Sequence, residues 1–389
     1  MSDIKFKKRV KALSLFSNVG IAETYLSDVG VDVCVANELL EERCKFYSHL
    51  YPDVSIIQGD ITDRDVFDKV MLTAKEAGVE MVIATPPCQG MSNAGRKDPK
   101  DSRNFLVHYA VEAIKELKPR FVIIENVTMQ QHTQILYNDE YIFIPDYIER
   151  ELGAIYNINT DRIVNTMDYG IPQSRQRYIY LMTLKSEGVK WEFPPKEEKI
   201  ITLQDAIGSL PSLDPHIREK DEQWRFPDYE KKKLEGLKVS KWHYPPTHSW
   251  RQVEWMIHTP SGTSAFKNDK FFPMTKGRRI KGAPRTYMRM FWEKPATTIM
   301  QNSGVISAFS TVHPGRCIVD SVNDELREYS DPRALSIYEL IILSSLPLDW
   351  NIPKWAKEVL IRKVIGEGIP PLLIKKAVIS LIKEGHYDR

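Results

Sequence analysis

Cysteine is scarce in this sequence: Cys34, Cys44, Cys88 and Cys317 are the only four in 389 residues. They form no CxxC pair and no Cys/His cluster that would suggest zinc, and they are too few for a disulfide scaffold, so free thiols and no metal are expected. Long apolar runs are missing as well. None approaches the ~20 residues of a membrane span, and the opening MSDIKFKKRV lacks the apolar centre of a signal peptide. The expectation is a cytoplasmic protein with no membrane partner. Nor does one charge dominate: 54 Lys and Arg against 52 Asp and Glu leave a net +2, so any nucleic-acid surface has to be local. Internal repeats and low-complexity segments are absent. What remains, 42% hydrophobic and 27% charged residues, describes a globular chain with room for two domains.

The first half alternates short apolar strands with helices. Strands are predicted at 11–16, 31–36, 54–58, 81–84 and 121–124, with helical stretches at 21–29, 63–77 and 103–117 between them. Gly30 and Gly78 stand where the first two of these helices would end. A further apolar strand, 178–184, follows the segment Gln173-Ser174-Arg175-Gln176-Arg177. Such alternation predicts an α/β fold with a doubly wound, mostly parallel sheet. After the first strand, Ser17-Asn18-Val19-Gly20 forms the small-residue turn of a nucleotide-binding opening. Glu38 lies eighteen positions beyond Gly20, close to the offset of a ribose-binding carboxylate. Asp60, after the third strand, can reach an adenine edge.

The stretch 81–92, MVIATPPCQGMS, reads as a buried strand that ends in a rigid turn. Pro86 and Pro87 fix consecutive φ angles and withhold donors, so Cys88 should stand on a stiff loop past a strand's carboxyl end, where open α/β sheets bind ligands. A buried structural cysteine is the bland alternative. The flanking Pro-Pro and Gln89-Gly90 suit a shaped loop better than a packed core. Glu125 of Glu125-Asn126-Val127 ends the next strand.

Composition changes near residue 190. All eight tryptophans and 17 of the 24 prolines follow it, and the regular alternation fades, which suggests a second domain or a long insertion. Between Lys267 and Arg289 eight Lys or Arg residues face one acidic residue, with Phe271, Phe272 and Tyr287 interspersed. Such a segment can follow a phosphate backbone, or it can be a solvated basic face. Regularity returns in helices at 336–344 and 371–382.

In this order the motifs Leu15-Phe16-Ser17-Asn18-Val19-Gly20, Pro86-Pro87-Cys88-Gln89, Glu125-Asn126-Val127, Gln173-x-Arg175-x-Arg177, Pro332-Arg333-Ala334-Leu335-Ser336 with Glu339, and 366–370 resemble the cytosine-5 DNA methyltransferases of bacterial modification systems. Asn18 and Ile21 stand where that family's cofactor loop usually carries glycine. Met91 replaces a Phe, and Glu367 an Asn.

The resemblance implies an S-adenosylmethionine-dependent methyltransferase fold over 1–190, completed by 355–389, with a smaller, irregular target-recognition domain and hinge over 191–354. It implies that Cys88 is a nucleophile, that Glu125 in its protonated form holds the base edge, that Arg175 orients Glu125, and that Gln89 and Arg177 share the catalytic site. S-adenosylmethionine, leaving as S-adenosylhomocysteine, would meet Phe16, Asn18, Gly20, Glu38, Asp60, Ile61, Pro86, Glu367 and Ile369. Double-stranded DNA would meet Ser92, Arg278, Arg279, Arg285, Arg289 and Thr298. A monomer is expected, paired with a restriction endonuclease acting on the same site. An RNA cytosine methyltransferase would use the same catalytic parts, and an inactive DNA-binding homologue would keep the fold. A dehydrogenase leaves Pro-Pro-Cys-Gln unexplained.

Overall fold

The computed structural model describes residues 4–87, 105–280, 282, 285–323 and 326–387. The chain begins β1 (Val10–Leu15), β2 (Val31–Glu38), α1 (Glu41–Leu50), β3 (Ser55–Gln58), α2 (Arg64–Ala77), β4 (Met81–Ala84), α3 (Leu106–Leu117) and β5 (Phe121–Asn126). A hairpin of β6 (Gln134–Tyr137) and β7 (Glu140–Phe143) leads to α4 (Ile144–Leu152), and β8 (Tyr156–Ile158), β9 (Ile163–Asn165) and β10 (Gln176–Leu184) complete the sheet. Its order is β3-β2-β1-β4-β5-β10-β8, with β9 on β10. β1 to β5 are mutually parallel, and β10 runs antiparallel to β5.

Strand residues alternate between two cores, as the period of two requires. Leu13, Leu15, Val82, Ala84, Val122 and Ile124 pack with α2, α3 and α4, whereas Val10, Ala12, Met81, Ile83, Phe121 and Ile123 pack under α10 (Pro371–Gly385). With both faces covered, the strands read as nearly continuous apolar runs. Strand order reverses between β1 and β4, which opens a crevice at their carboxyl ends.

Beyond β10 come α5 (Leu203–Ile207), β11 (His216–Ile217), α6 (Tyr229–Val239), β12 (Thr247–His248), α7 (Trp250–Ile257), a hairpin of β13 (Met274–Thr275) and β14 (Arg278–Arg279), and a second of β15 (Cys317–Val319) and β16 (Glu328–Tyr329). They surround a small core of Ile217, Val253, Trp255, Met256 and Val312. Helices α8 (Ile337–Leu343) and α9 (Glu358–Glu367) then join Val19, Ile21 and Phe46 in a third core beside the cofactor loop. Ser336 and Glu339 form a capping box that starts α8.

Three local expectations change. The stretch 21–29 is a series of tight turns ending in a short 3₁₀ segment, Ser27–Val29. Its amides bond three residues back, as in Glu23 to Gly20 and Leu26 to Glu23. Helix α1 escapes a periodicity reading because only Cys44, Phe46 and Tyr47 are buried on it. Gly366 and Glu367, read as a loop introducing α10, close α9 instead.

Candidate active site

The carboxyl ends of β1, β4 and β5 are tied together by short polar bonds. Thr85 donates its amide to Leu15 O (3.2 Å) and its hydroxyl to Phe16 O (3.0 Å). Asn126 donates Nδ2 to Pro86 O at 3.1 Å, while its Oδ1 accepts the Val127 amide at 2.8 Å. Asn126 thus fixes the turn out of β5 against the prolines that lead into Cys88, a role that sequence reading missed although the residue lies inside a motif it singled out. Cys88, Gln89 and Ser92 lie outside the described residues.

Glu125 sits at the end of β5 with its Oε1 at 2.6 Å from Arg177 Nε. The register explains the pair. Ile179 of β10 stands opposite Glu125, so Arg177, two residues earlier, is its diagonal neighbour on the same face of the antiparallel pair. Both side chains are nearly buried, with 11% exposed on each.

Arg175, expected to orient Glu125, sends its guanidinium to backbone carbonyls. It precedes β10 and is 2% exposed. Its guanidinium donates to Ile299 O (2.9 Å), Gly366 O (2.9 Å) and Glu367 O (3.2 Å). Gln173 acts similarly, donating to Leu343 O and accepting the Ile299 amide. These two side chains fasten the end of α9 and the 296–300 segment to the sheet, while Arg177 pairs with the carboxylate. Arg177→Ala is expected to lower kcat by about 10²–10³, as loss of one preorganised site donor does, beyond any fall in unfolding midpoint from stranding the Glu125 carboxylate. Arg175→Ala should leave carbonyls unpaired at about 1–3 kcal/mol each and lower that midpoint. Single-turnover methyl transfer and thermal unfolding on both variants separate the two roles.

In the cofactor loop, Phe16 and Asn18 adopt φ of 58° and 52°, and Gly20 one of 78°. A Cβ on Gly20 would come within 2.3 Å of the Tyr51 ring, whose hydroxyl donates to Gly20 O at 2.8 Å. Asn in place of glycine is tolerated because it enters the left-handed region more readily than other residues. Glu38 faces this loop: Oε2 accepts the Asn18 amide and Oε1 the Leu40 amide, each at 3.0 Å. Burial raises its pKa, while the Leu40 amide, Arg43 and the Asn18 amide draw it back. Asp60 is exposed and turns Oδ1 onto the Thr62 amide and hydroxyl, with Ile61 buried beside it. Pro86 and Ile369 are buried. Arg43 on α1 pairs with Glu367 at the end of α9.

The six residues proposed for DNA diverge. Arg289, which was expected on the surface, is fully buried and gives its guanidinium to the carbonyls of Met256, His313, Asp331 and Tyr329. Those bonds occupy its five donors, so it is a framework residue. Arg279 is exposed but lies 4.1 Å over the Phe272 ring and donates to Phe266 O and Asn268 O. Phe271 stacks on His258, and Tyr287 packs against Trp255 and Phe266. Phe271 and Tyr287 therefore pack against the small core rather than line a strand of nucleic acid. Thr298 donates to Ser174 O. Arg278 and Arg285 are exposed, and Arg278 follows the two-residue turn Lys276-Gly277, whose φ values of 49° and 72° suit a tight hairpin.

This sheet, with its antiparallel strand β10 beside β5 and its crevice between β1 and β4, is the fold of methyltransferases. A solved methyltransferase of Entamoeba histolytica, EhMeth, matches with a TM-score of 0.63 at 15% identity, over 97% of this chain and 99% of that one. The S. pombe Dnmt2 methyltransferase matches with a TM-score of 0.56 at 16% identity, over 97% and 99%. The family model for the C-5 cytosine-specific DNA methylases covers residues 10–383, and the chain belongs to that family. It is 40% identical over 384 residues to the Type II methyltransferase M1.HgaI of Avibacterium volantium, covering 97% of this chain and 99% of the relative. It is 26% identical to M1.HphI of Haemophilus parahaemolyticus, covering 95% and 86%. The protein is a DNA (cytosine-5-)-methyltransferase.

Proposed function

We propose that the protein methylates carbon 5 of a cytosine within one short duplex sequence, as the modification enzyme of a Type II restriction system, taking the methyl group from S-adenosylmethionine. The observation that carries this reading is the Glu125–Arg177 pair at the end of β5, bound through Asn126 to the Pro86-Pro87 turn that delivers Cys88. The neighbouring residues fit the cofactor. The crevice lies at the strand-order reversal, Glu38 offers a buried carboxylate beside a left-handed loop, and Asn18, Arg43 and Glu367 have buried polar atoms there that find no partner among the described residues.

The cofactor supplies an electrophilic methyl group. Cytosine carbon 5 is too weak a nucleophile to accept it unaided. Cys88 Sγ, as the thiolate, adds to carbon 6 and moves the ring's electron pair toward carbon 5. Glu125, protonated on the oxygen that Arg177 does not hold, donates that hydrogen to the ring nitrogen where negative charge collects, and Arg177, donating to the other oxygen, fixes the carboxyl in place. After methylation a base removes the carbon 5 proton, the carbon 6–sulfur bond breaks, and Cys88 leaves as thiolate. The base must swing out of the stack for this, at a cost of a few kcal/mol.

The test is transfer of labelled methyl to mixed-sequence duplex DNA, with bisulfite sequencing of the product and tRNA as an alternative acceptor. Label confined to carbon 5 in one sequence context supports the reading, and label on tRNA alone would sink it. Arg278 on the β13–β14 hairpin is the leading contact to phosphate. Arg278→Ala is expected to weaken binding about tenfold across unrelated duplexes and to lower the salt slope by about one. Fluorescence anisotropy between about 50 and 200 mM salt checks it.

A further inference from the structure

The segment 296–304 is pinned by its main chain to the catalytic end of the sheet. Ala296 donates its amide to Pro172 O and accepts the Ser174 amide at 2.7 Å. Thr298 donates to Ser174 O, and Ile299 is held on both sides, its amide by Gln173 and its carbonyl by Arg175. These anchors lie just before Arg177, which pairs with Glu125. Helix α9 clamps the next turn from below. Arg362 donates to Ser303 O, a Cβ on Gly304 would come within 2.9 Å of the Arg362 side chain, and one on Gly366 within 2.4 Å of the Met300 carbonyl carbon. The main chain at 300–302 is therefore fixed beside the crevice. Gln301 and Asn302 are nevertheless exposed, and neither side-chain amide has a hydrogen-bond partner among the described residues.

Two tight turns follow, closed by the Val305 amide on Asn302 O and the Ala308 amide on Val305 O, and they leave Val305 and Phe309 exposed along with Met300. No residue from 299 to 312 carries a charge. Exposed Arg285 bounds this strip, its carbonyl accepting the Ser310 amide at 2.9 Å. A carboxamide sets a donor beside an acceptor, which complements the N7 acceptor and N6 donor that adenine shows in the major groove, and an apolar side chain suits the thymine methyl across the pair. Guanine, with two acceptors there, calls for a cation that the strip does not carry. We infer that Gln301 and Asn302 read the recognition sequence, and that this sequence contains an A·T pair that they contact. The inference rests on the reading that duplex DNA is the substrate. A main chain held by Gln173, Arg175 and Arg362 gives the two amides the fixed placement that base reading needs, and it leaves Arg278 and Arg285 to the phosphates.

Methyl transfer to duplexes tests it, starting from the sequence context that bisulfite sequencing gives for the unmodified protein. A context made of G·C pairs alone overturns the inference. Within that context, 7-deazaadenine placed at each adenine in turn removes the N7 acceptor, and at one of them it is expected to lower kcat/KM about fivefold or more. Replacing both amides, Gln301→Ala with Asn302→Ala, is expected to cut the preference for that A·T pair over G·C about tenfold or more, to abolish the 7-deazaadenine effect, and to leave discrimination at the other positions within about twofold. An equal loss on every duplex is the mark of a phosphate contact and overturns the inference. So does a 7-deazaadenine series without effect, or a preference that the double variant keeps. If the unmodified protein transfers methyl to no duplex, the reading of the substrate fails instead.

Discussion

Cys88→Ala is expected to reduce methyl transfer by at least about 10⁴-fold, the scale on which removal of an attacking nucleophile acts, while duplex binding stays within about twofold. The asymmetry follows from what sulfur does. Without addition at carbon 6, carbon 5 lacks the electron density to attack a methyl group, and neither Glu125 nor Arg177 can supply it. Binding, by contrast, is dominated by contacts to phosphates. A substrate carrying 5-fluorocytosine makes the prediction sharper. Release of Cys88 requires loss of the carbon 5 proton, and fluorine cannot leave as a proton does, so the carbon 6–sulfur bond should persist. The unmodified protein with cofactor should then run with the DNA on a denaturing gel, and Cys88→Ala should not. Persistent transfer by Cys88→Ala would remove the covalent step from the proposal.

The site was legible where motif and strand end coincide, and less so where a side chain had to choose among neighbours. Gly20 and Glu38 could be placed from spacing because a turn after β1 and a carboxylate at the end of β2 are consequences of the fold's connectivity. The choice between Arg175 and Arg177 could not be made that way. Both lie in one motif at the same parity, and only the pairing of Ile179 with Glu125 puts Arg177 on the diagonal. Arg175, before the strand begins, falls out of that geometry and reaches α9 instead. Within the basic segment at 267–289 the inward and outward residues could not be told apart for a related reason. Sequence reports that Arg289 and Phe271 are present, but burial of Arg289 under four carbonyl-bearing residues and stacking of Phe271 on His258 are tertiary choices. Asn126 was overlooked because its task, accepting one neighbour's amide while donating to Pro86, is a contact between the ends of two adjacent strands.

A second large effect should come from the buried polar cluster beneath α8. Arg333 is fully buried, and each of its five donors has an acceptor: Nε meets Leu213 O, Nη1 meets Ala334 O and Glu339 Oε2, and Nη2 meets Glu339 Oε1 and Asp331 Oδ1. Glu339 also accepts the Ser336 amide that starts α8, and Asp331 accepts the Leu213 amide and the Ser212 hydroxyl. Removing one partner from so complete a set strands the others. Arg333→Met or Glu339→Gln is therefore expected to cost about 3–5 kcal/mol of unfolding free energy, read from denaturant midpoints, and no loss would mean that the cluster is dispensable.

Acid should attack the same cluster from two directions. Burial alone would raise the Glu339 carboxyl, but the charge of Arg333 and its hydrogen bonds hold it down at about 2, so its contribution is present above the unfolded value of about 4.3 and fades as pH falls toward 2. Two histidines act at higher pH. His313 Nδ1 accepts the Gly315 amide and His248 Nε2 accepts the Ala334 amide, each at 3.1 Å. A proton on either nitrogen would face a donor with a donor. Burial, the leading cause, lowers His313 to about 4 and His248 to about 3. The unfolded chain takes up protons near pH 6.5 that the folded chain refuses, so stability is full above that value and falls steadily down to about pH 4. Thermal midpoints measured from pH 8 to pH 4 should be flat at first and then drop, and His313→Gln, which keeps an acceptor without a titrating ring, should shallow the slope between pH 6.5 and 4. A midpoint that holds down to pH 4.5 in the unmodified protein would show that these histidines are not held neutral, and the network would then have to open and admit a charge without unfolding.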